Sequence, residues 1–181
     1  MKLSILICTM STRKIFLHRL MKLLLRQVKG QDVEILVSDL PDNCSIGEKR
    51  NSLLTKAVGD YVCYIDDDDV ITNDYIQLIL GAMAANPDVI TFEGFMTTNG
   101  RFTANFVIKL GEDYNQRNGV YYRFPNHLTV IKSEIAKAFP FKHISHGEDY
   151  DWACRIKEAN MLNTSEHINS KIYHYDYRTK K

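Results

Sequence analysis

The chain carries little that would staple it covalently and little that would draw it into a membrane or onto a polyanion. Its four cysteines, Cys8, Cys44, Cys63 and Cys154, lie far apart with no CxxC pair. Neither a disulfide framework nor a zinc site of the usual ligand spacing is expected, and the thiols read as reduced core or near-core groups. No apolar run approaches the ~20 residues that a membrane span requires. The opening MKLSILICTM is too short for a span and reads as a strand, not as a cleavable signal, so the cytoplasm is the expected compartment. A formal net charge of +1 leaves no protein-wide field to attract nucleic acid or an anionic membrane, and a local patch is the remaining route to either. Internal repeats and low-complexity linkers are also missing.

What is present suffices for one core. A length of 181 residues at 45% hydrophobic content is ample for one domain and short for two, so a single domain over 1–181 is expected, with halves 1–92 and 93–181. Leu3 to Cys8 reads as a buried strand, followed by Ser11-Thr12 as helix caps and a periodic helix from Ile15 to Val28 with Leu17, Leu20, Met21, Leu24 and Val28 on one face. Arg13, Lys14, Arg19, Lys22, Arg26 and Lys29 fall on its other faces and read as solvated. A second strand spans Val33 to Leu40, a helix Ile46 to Val58, and a third strand Tyr61 to Ile65. A helix from Asn73 to Ala85 and a short strand from Val89 to Phe92 follow. Strands alternating with helices predict an α/β fold: a Rossmann-like, mostly parallel central sheet flanked by helices. The glycine-containing stretch Gly94 to Pro125 predicts a small region of irregular or antiparallel strands. Leu128 to Ile131 then reads as a strand, Ser133 to Ala138 as a short helix, and the second half of HISHGEDYDWACRIKEAN as another helix.

Such a sheet gathers ligands beyond the carboxyl ends of its strands. Asp39 falls there, and so do Asp66-Asp67-Asp68-Asp69, four consecutive carboxylates closing an apolar strand. Their mutual repulsion needs a counterion or solvent, and carboxylate oxygens suit Mg2+ or Mn2+; an exposed acidic turn is the alternative. Gly147-Glu148-Asp149-Tyr150-Asp151 opens a helix, where the positive end of the macrodipole keeps a carboxylate ionised and able to take a proton as chemistry proceeds; simple capping by Asp149 or Asp151 is the alternative. His174, between Tyr173 and Tyr175, is a candidate metal ligand or a structural histidine. His127 and His146 could each touch the acceptor or satisfy core and loop hydrogen bonds; the latter reading is favoured for His127, and His146 stays open. Trp152 offers either a face to a sugar or an anchor for its helix.

In order along the chain, SILICTM, VEILVSDL, SIGEKRN, GDYVCYIDDDDV and HGEDYDWACRI together resemble the family 2 glycosyltransferases of GT-A fold, over nearly the whole length and with a narrower likeness to compact bacterial and phage members. The resemblance implies an inverting, metal-dependent hexosyl- or pentosyltransferase that uses a nucleotide-sugar, by family frequency a UDP-sugar. It makes 1–92 the donor half and 93–181 the acceptor and catalytic half. Thr9, Asp39, and Arg50 of Gly47-Glu48-Lys49-Arg50-Asn51 would contact the donor. Asp66-Asp67-Asp68 matches the DxD motif, with Asp68 as principal metal ligand, Asp66 close to the ribose and able to share the metal, and Asp69 in an added acidic position. Glu148-Asp149 matches the ED motif, with Asp149 as the base, and His174 would complete the Mn2+ or Mg2+ site. His146, Trp152 and Asp151 are the weaker acceptor candidates.

The chain is short for this family, with no added acceptor domain and no membrane anchor in view. That suits a soluble or macromolecule-borne acceptor hydroxyl: a glycan, a protein, or a hydroxylated base of phage DNA, in the host cytoplasm if the chain is phage-encoded. A basic surface from Arg13 to Lys29 with Arg178-Thr179-Lys180-Lys181 would serve the nucleic-acid option. Two other classes compete. A sugar nucleotidyltransferase would carry a glycine-rich loop after its first strand, and CTMSTRK has no glycine. A signalling domain with an acidic pocket would give GEDYD no role.

Overall fold

The computed structural model describes residues 1–177; the basic segment Arg178-Thr179-Lys180-Lys181 lies outside them. In chain order the strands and helices are β1 (Leu3–Ile7), α1 (Lys14–Gln27), β2 (Val33–Val37), α2 (Ile46–Lys56), β3 (Tyr61–Tyr64), β4 (Val70–Ile71), α3 (Tyr75–Met83), β5 (Val89–Thr98), β6 (Arg101–Ile108), β7 (Asn115–Arg117), β8 (Val120–Arg123), β9 (Val130–Lys132), α4 (Ser133–Ala138), α5 (Glu148–Glu158) and β10 (Ser165–Tyr177).

The apolar runs at β1, β2 and β3 pair in parallel with β1 in the middle, Leu3 lying opposite both Val33 and Tyr61. β9 enters antiparallel between β3 and β5, and β10 lies parallel to β5. The strands β2, β1, β3, β5 and β10 therefore all run one way, which makes the central sheet mostly parallel, with helices on both faces. Alternation along β1 feeds two cores. Leu3, Ile5 and Ile7 pack with Leu20 and Leu24 of α1 and with Tyr75, Ile76, Ile79 and Met83 of α3. Leu6 packs on the other side with Leu53 and Leu54 of α2, Ile135 of α4, and Trp152 and Ile156 of α5. Among the described residues no helix is long and apolar enough to cross a membrane.

Three local expectations change. Ser11 and Thr12 do not cap a helix: Ser11–Arg13 form a 3-10 turn without a side-chain cap bond, and the Ser11 hydroxyl donates instead to Asp42. The strand expected to end at Phe92 runs to Thr98. Gly94 permits this, because a Cβ there would collide with the Phe106 ring and the Tyr173 carbonyl, so only glycine lets β6 and β10 close on β5. The segment after Gly94 is ordered and not merely antiparallel, since β6 pairs antiparallel with β5 but parallel with β8.

The helix α2 is fixed at both ends of its G-x-x-R-N pattern. Ser45 and Glu48 form a capping box, the Glu48 N–H donating to Ser45 Oγ at 3.3 Å and the Ser45 N–H to Glu48 Oε2 at 2.8 Å. Gly47 lets the 142–144 backbone press against the helix, donating to the Ile144 carbonyl at 3.0 Å where a Cβ would strike the Lys142 carbonyl. Asn51, on the same helical face, closes the clamp by exchanging two 2.8 Å hydrogen bonds with the Phe141 backbone. The clamped loop leads to Gly147, whose φ of 80° lets the chain turn into α5.

Candidate active site

The carboxyl ends of β1 and β3, the start of α5 and the end of β10 enclose a cavity of about 770 Å3. Thr9, Arg50, Asp66, Asp67, Asp68, His146, Glu148 and Asp149 all line it. The two acidic segments thus face one space, although about eighty positions separate them in the chain.

Its floor is a chain of opposite charges built on the buried Arg50, His127 and Glu148. Arg50, with 4% of its side chain exposed, reaches Asp66 Oδ1 through Nη2 and Glu148 Oε1 through Nε, each at 3.3 Å. Its guanidinium also lies 4.9 Å from the centre of the Tyr64 ring, so the cation is held by carboxylates on its edge and an aromatic face below. His127 places Nε2 at 3.5 Å from Asp66 Oδ2 and Nδ1 at 3.3 Å from Asp149 Oδ2. These contacts are long and imperfectly aligned, and neither ring nitrogen has a well-directed hydrogen-bond partner, so charge supplies most of the attraction.

The ionisation of these groups follows from the pairing. Burial works against the charged form of Asp149, but the His127 contact and the field of Arg50 outweigh it and hold the carboxyl well below the usual range. Asp66 behaves alike: burial is overcome first by Arg50 and then by His127. For His127 burial and Arg50 both disfavour the cation, yet Asp149 and Asp66 together raise its pKa. Asp69 goes the other way. Burial behind the cavity and the repelling Asp66 hold its pKa well above the usual range, outweighing the Tyr173 hydroxyl that it accepts at 2.6 Å. The fourth aspartate therefore belongs to the wall.

The rim is different. Asp67 accepts the Thr9 hydroxyl at 2.7 Å and Arg13 Nε at 2.8 Å, and Arg13 Nη2 lies 2.7 Å from Asp68 Oδ2. Arg19 Nη2 donates to the Asp68 carbonyl at 2.6 Å. Arg13 and Arg19, read in the sequence as a solvated face, are instead turned onto the acidic segment. Opposite them Tyr114 and Tyr150 meet edge to face at 5.2 Å, with Arg123 and Asn126 nearby.

Several candidates sit elsewhere. His174 does not join the carboxylates: its strand parity turns it away from Tyr173 and Tyr175, its Nε2 lies 2.9 Å from Thr97 Oγ1, and its ring stacks on Phe95 at 4.3 Å. Asp39 is on the surface, 69% exposed, and paired with Lys56 at 2.8 Å outside the cavity lining. Trp152 is buried in the core, stacked on Phe141 at 4.9 Å. Asp151 points outward to Lys142 and to Arg155 Nε at 2.8 Å. Neither Asp149 nor Asp151 caps α5, whose N-cap is Gly147 without a side-chain bond. Sequence reading missed His127 and Arg13. Nothing local marks His127; it reaches the floor because its carbonyl accepts the Tyr64 N–H at 3.1 Å, which lays the 126–128 loop along the end of β3.

The comparisons with known proteins agree with this geometry. The chain is 25% identical over 141 residues to an uncharacterized glycosyltransferase of Methanocaldococcus jannaschii, covering 73% of this chain and 48% of that protein. Among solved structures, S. aureus TarS 1-349 in complex with UDP superposes with a TM-score of 0.69 at 14% identity, over 97% of this chain and 60% of that one. The complex of the same protein with UDP-GlcNAc gives 0.69 over 100% and 60%. The chain thus spans about half the length of the curated relative, and its fold is that of the GT-A glycosyltransferases. The model of glycosyl transferase family 2 matches residues 25–146, taking in Arg50, the acidic segment and His127, and the chain belongs to that family.

Proposed function

We propose that this protein transfers a sugar, a hexose or pentose, from a nucleotide-sugar to an acceptor hydroxyl with inversion, the donor being a UDP-sugar and the reaction depending on Mn2+ or Mg2+. The observation that carries the reading is the position of His127, whose imidazole touches Asp66 of the strand-end segment at 3.5 Å and Asp149 of the helix start at 3.3 Å. One reacting carbon can therefore lie between a phosphate-side group and a base. The TarS complexes with UDP and UDP-GlcNAc support the choice of donor.

Asp149 is the base. Held ionised and facing the cavity, it accepts the acceptor hydroxyl's proton as the oxygen attacks the anomeric carbon from the face opposite the leaving diphosphate, which sets the inverted configuration. The base is weak at rest, and the proton passes to it only as the attacking hydroxyl becomes acidic in the transition state. His127 holds the Asp149 carboxylate in place, the field of Arg50 keeps it ionised, and Glu148 supports Arg50 from the buried side. Tyr114, Tyr150 and His146 line the acceptor approach.

The donor set fits a hard divalent cation. Asp66 and Asp68 offer oxygen ligands at the cavity wall, with 20% of the Asp68 side chain exposed. Among the described residues no three His, Cys, Asp or Glu side chains are grouped to hold a metal ion unaided, and Mg2+-type sites regularly take their remaining ligands from diphosphate and water. When bound, such an ion neutralises the charge that develops on the departing diphosphate. A glycan or protein hydroxyl is the acceptor that the mixed aromatic and polar rim fits.

A nucleotide-release assay with a panel of UDP-, GDP-, CDP- and dTDP-sugars in Mn2+ tests the reading. Slow hydrolysis of one nucleotide class is expected, abolished by EDTA. Absence of release from every donor, together with no calorimetric binding of any of the four nucleotides, would sink it.

A further inference from the structure

Two arginines meet the acidic cluster, and they are built for different work. Arg50 is enclosed and engaged by Asp66, Glu148 and the Tyr64 ring. Arg13 stands at the mouth with 29% of its side chain exposed, at the end of the 3-10 turn that follows β1. Its one guanidinium occupies Asp67 through Nε at 2.8 Å and Nη2 at 2.6 Å, and occupies Asp68 through Nη2 at 2.7 Å. Any cation that binds Asp68 from the cavity must share or displace it.

We propose that Arg13 is an exchangeable counter-cation: it neutralises Asp67 and Asp68 in the nucleotide-free protein and passes its guanidinium to the donor's diphosphate when a divalent ion takes Asp68. This rests on the nucleotide-sugar reading of the cavity.

Three observations make the exchange physically coherent. First, the two carboxylates do not depend on Arg13 equally. Asp67, with 3% of its side chain exposed, keeps the Thr9 hydroxyl at 2.7 Å when the arginine leaves, whereas Asp68 faces the cavity. Second, the backbone of Asp68 is gripped independently, its carbonyl accepting Arg19 Nη2 at 2.6 Å, so its carboxylate can change partner without moving the loop. Third, the charges require a change of partner. A divalent ion on Asp68 Oδ2 would sit within about 5 Å of a guanidinium on the same oxygen, and like charges at that range repel strongly in a partly desolvated site. The diphosphate arriving with the ion offers the displaced guanidinium a planar, two-point anionic partner of the kind arginine favours. The same side chain thus suppresses metal binding before the donor arrives and adds donor affinity afterwards.

The signs of these effects make the test decisive. Mn2+ binding to the nucleotide-free protein is followed by the loss of the free-ion electron paramagnetic resonance signal, and UDP and GDP binding at saturating Mn2+ by calorimetry. In Arg13→Gln, Mn2+ affinity without nucleotide should rise about tenfold while affinity for the bound nucleotide falls about tenfold, each the scale of a single charge-assisted hydrogen bond. Arg13→Lys keeps the charge but not the fork, and should leave Mn2+ affinity within about threefold of the wild type while weakening the nucleotide. Misfolding would weaken both ligands together, so opposite shifts cannot come from a damaged variant. Mn2+ affinity that falls or stays constant in Arg13→Gln overturns the proposal, and so does nucleotide affinity that is unchanged. A wild-type protein that binds neither UDP nor GDP, in which Arg13→Gln still tightens Mn2+, contradicts the donor reading and leaves the counter-cation in place.

Discussion

The floor and the rim of the cavity hold similar groups under opposite conditions. On the floor the buried Arg50, His127 and Glu148 lie out of contact with bulk water and hold Asp66 and Asp149, which face the cavity. On the rim Arg13 and Asp68 pair where water and ligands enter, while their neighbour Asp67 is itself buried. A buried charge stripped of its partner stays desolvated, whereas a rim charge regains water. The floor is therefore a fixed electrostatic scaffold, and the rim is the part free to exchange partners.

The largest effect expected from this contrast is on stability. Arg50→Met leaves the Glu148 carboxylate buried without its cation and should cost about 3–5 kcal/mol in denaturant unfolding. Arg13→Gln should cost roughly 1 kcal/mol or less in the same measurement, because Asp68 can hydrate and the buried Asp67 keeps the Thr9 hydroxyl. Equal losses would erase the distinction.

The same rule, applied to two aspartates outside the cavity, gives a smaller effect with a pH signature. Asp88 ties the start of β5 to the approach to β10, accepting the Asn163 and Thr164 N–H groups at 2.9 Å each and Lys132 Nζ at 3.1 Å. Burial opposes its ionisation, but those hydrogen bonds outweigh it and set the folded pKa below the ordinary 3.8. A depressed folded pKa contributes stability above the ordinary value, and that contribution is lost as pH falls through the folded one. Asp88→Asn should therefore cost about 1–2 kcal/mol at neutral pH, and the gap to wild type should begin to narrow below about pH 4 and close only once pH falls past the folded pKa. Asp39→Asn is the weakest case: the side chain is exposed and paired with the equally accessible Lys56, so Tm should stay put and UDP affinity should change by less than about twofold. A large loss of UDP affinity would place Asp39 in the donor site after all.

The floor and the rim also differ in how far the sequence reveals them. Elements whose periodicity is local were legible: β1, α1, α2 and β3 lie within a few residues of the expected spans, and the carboxyl-end position of Asp66-Asp67-Asp68 followed from strand order. The long β5 and β10 were not, because their extent depends on pairing between residues about 80 positions apart and on Gly94 admitting its neighbours. His174 was misplaced as a ligand for a related reason: composition shows a histidine near the chain's end, while the parity of β10 decides which face it takes. His127 went unrecognised because its chemistry comes from two carboxylates on other elements. Arg13 shared a helical face pattern with solvated lysines, and only the three-dimensional path of the turn after β1 brings it onto Asp67.

Calorimetry and a transfer assay on Asp149→Asn test the central claim most directly. The amide keeps the shape of the carboxylate but cannot accept the proton, so donor binding in Mn2+ should remain within about threefold of wild type while turnover falls by ~10²–10⁴-fold. Turnover close to wild type, or loss of donor binding in step with loss of transfer, would contradict the assignment of Asp149 as the base.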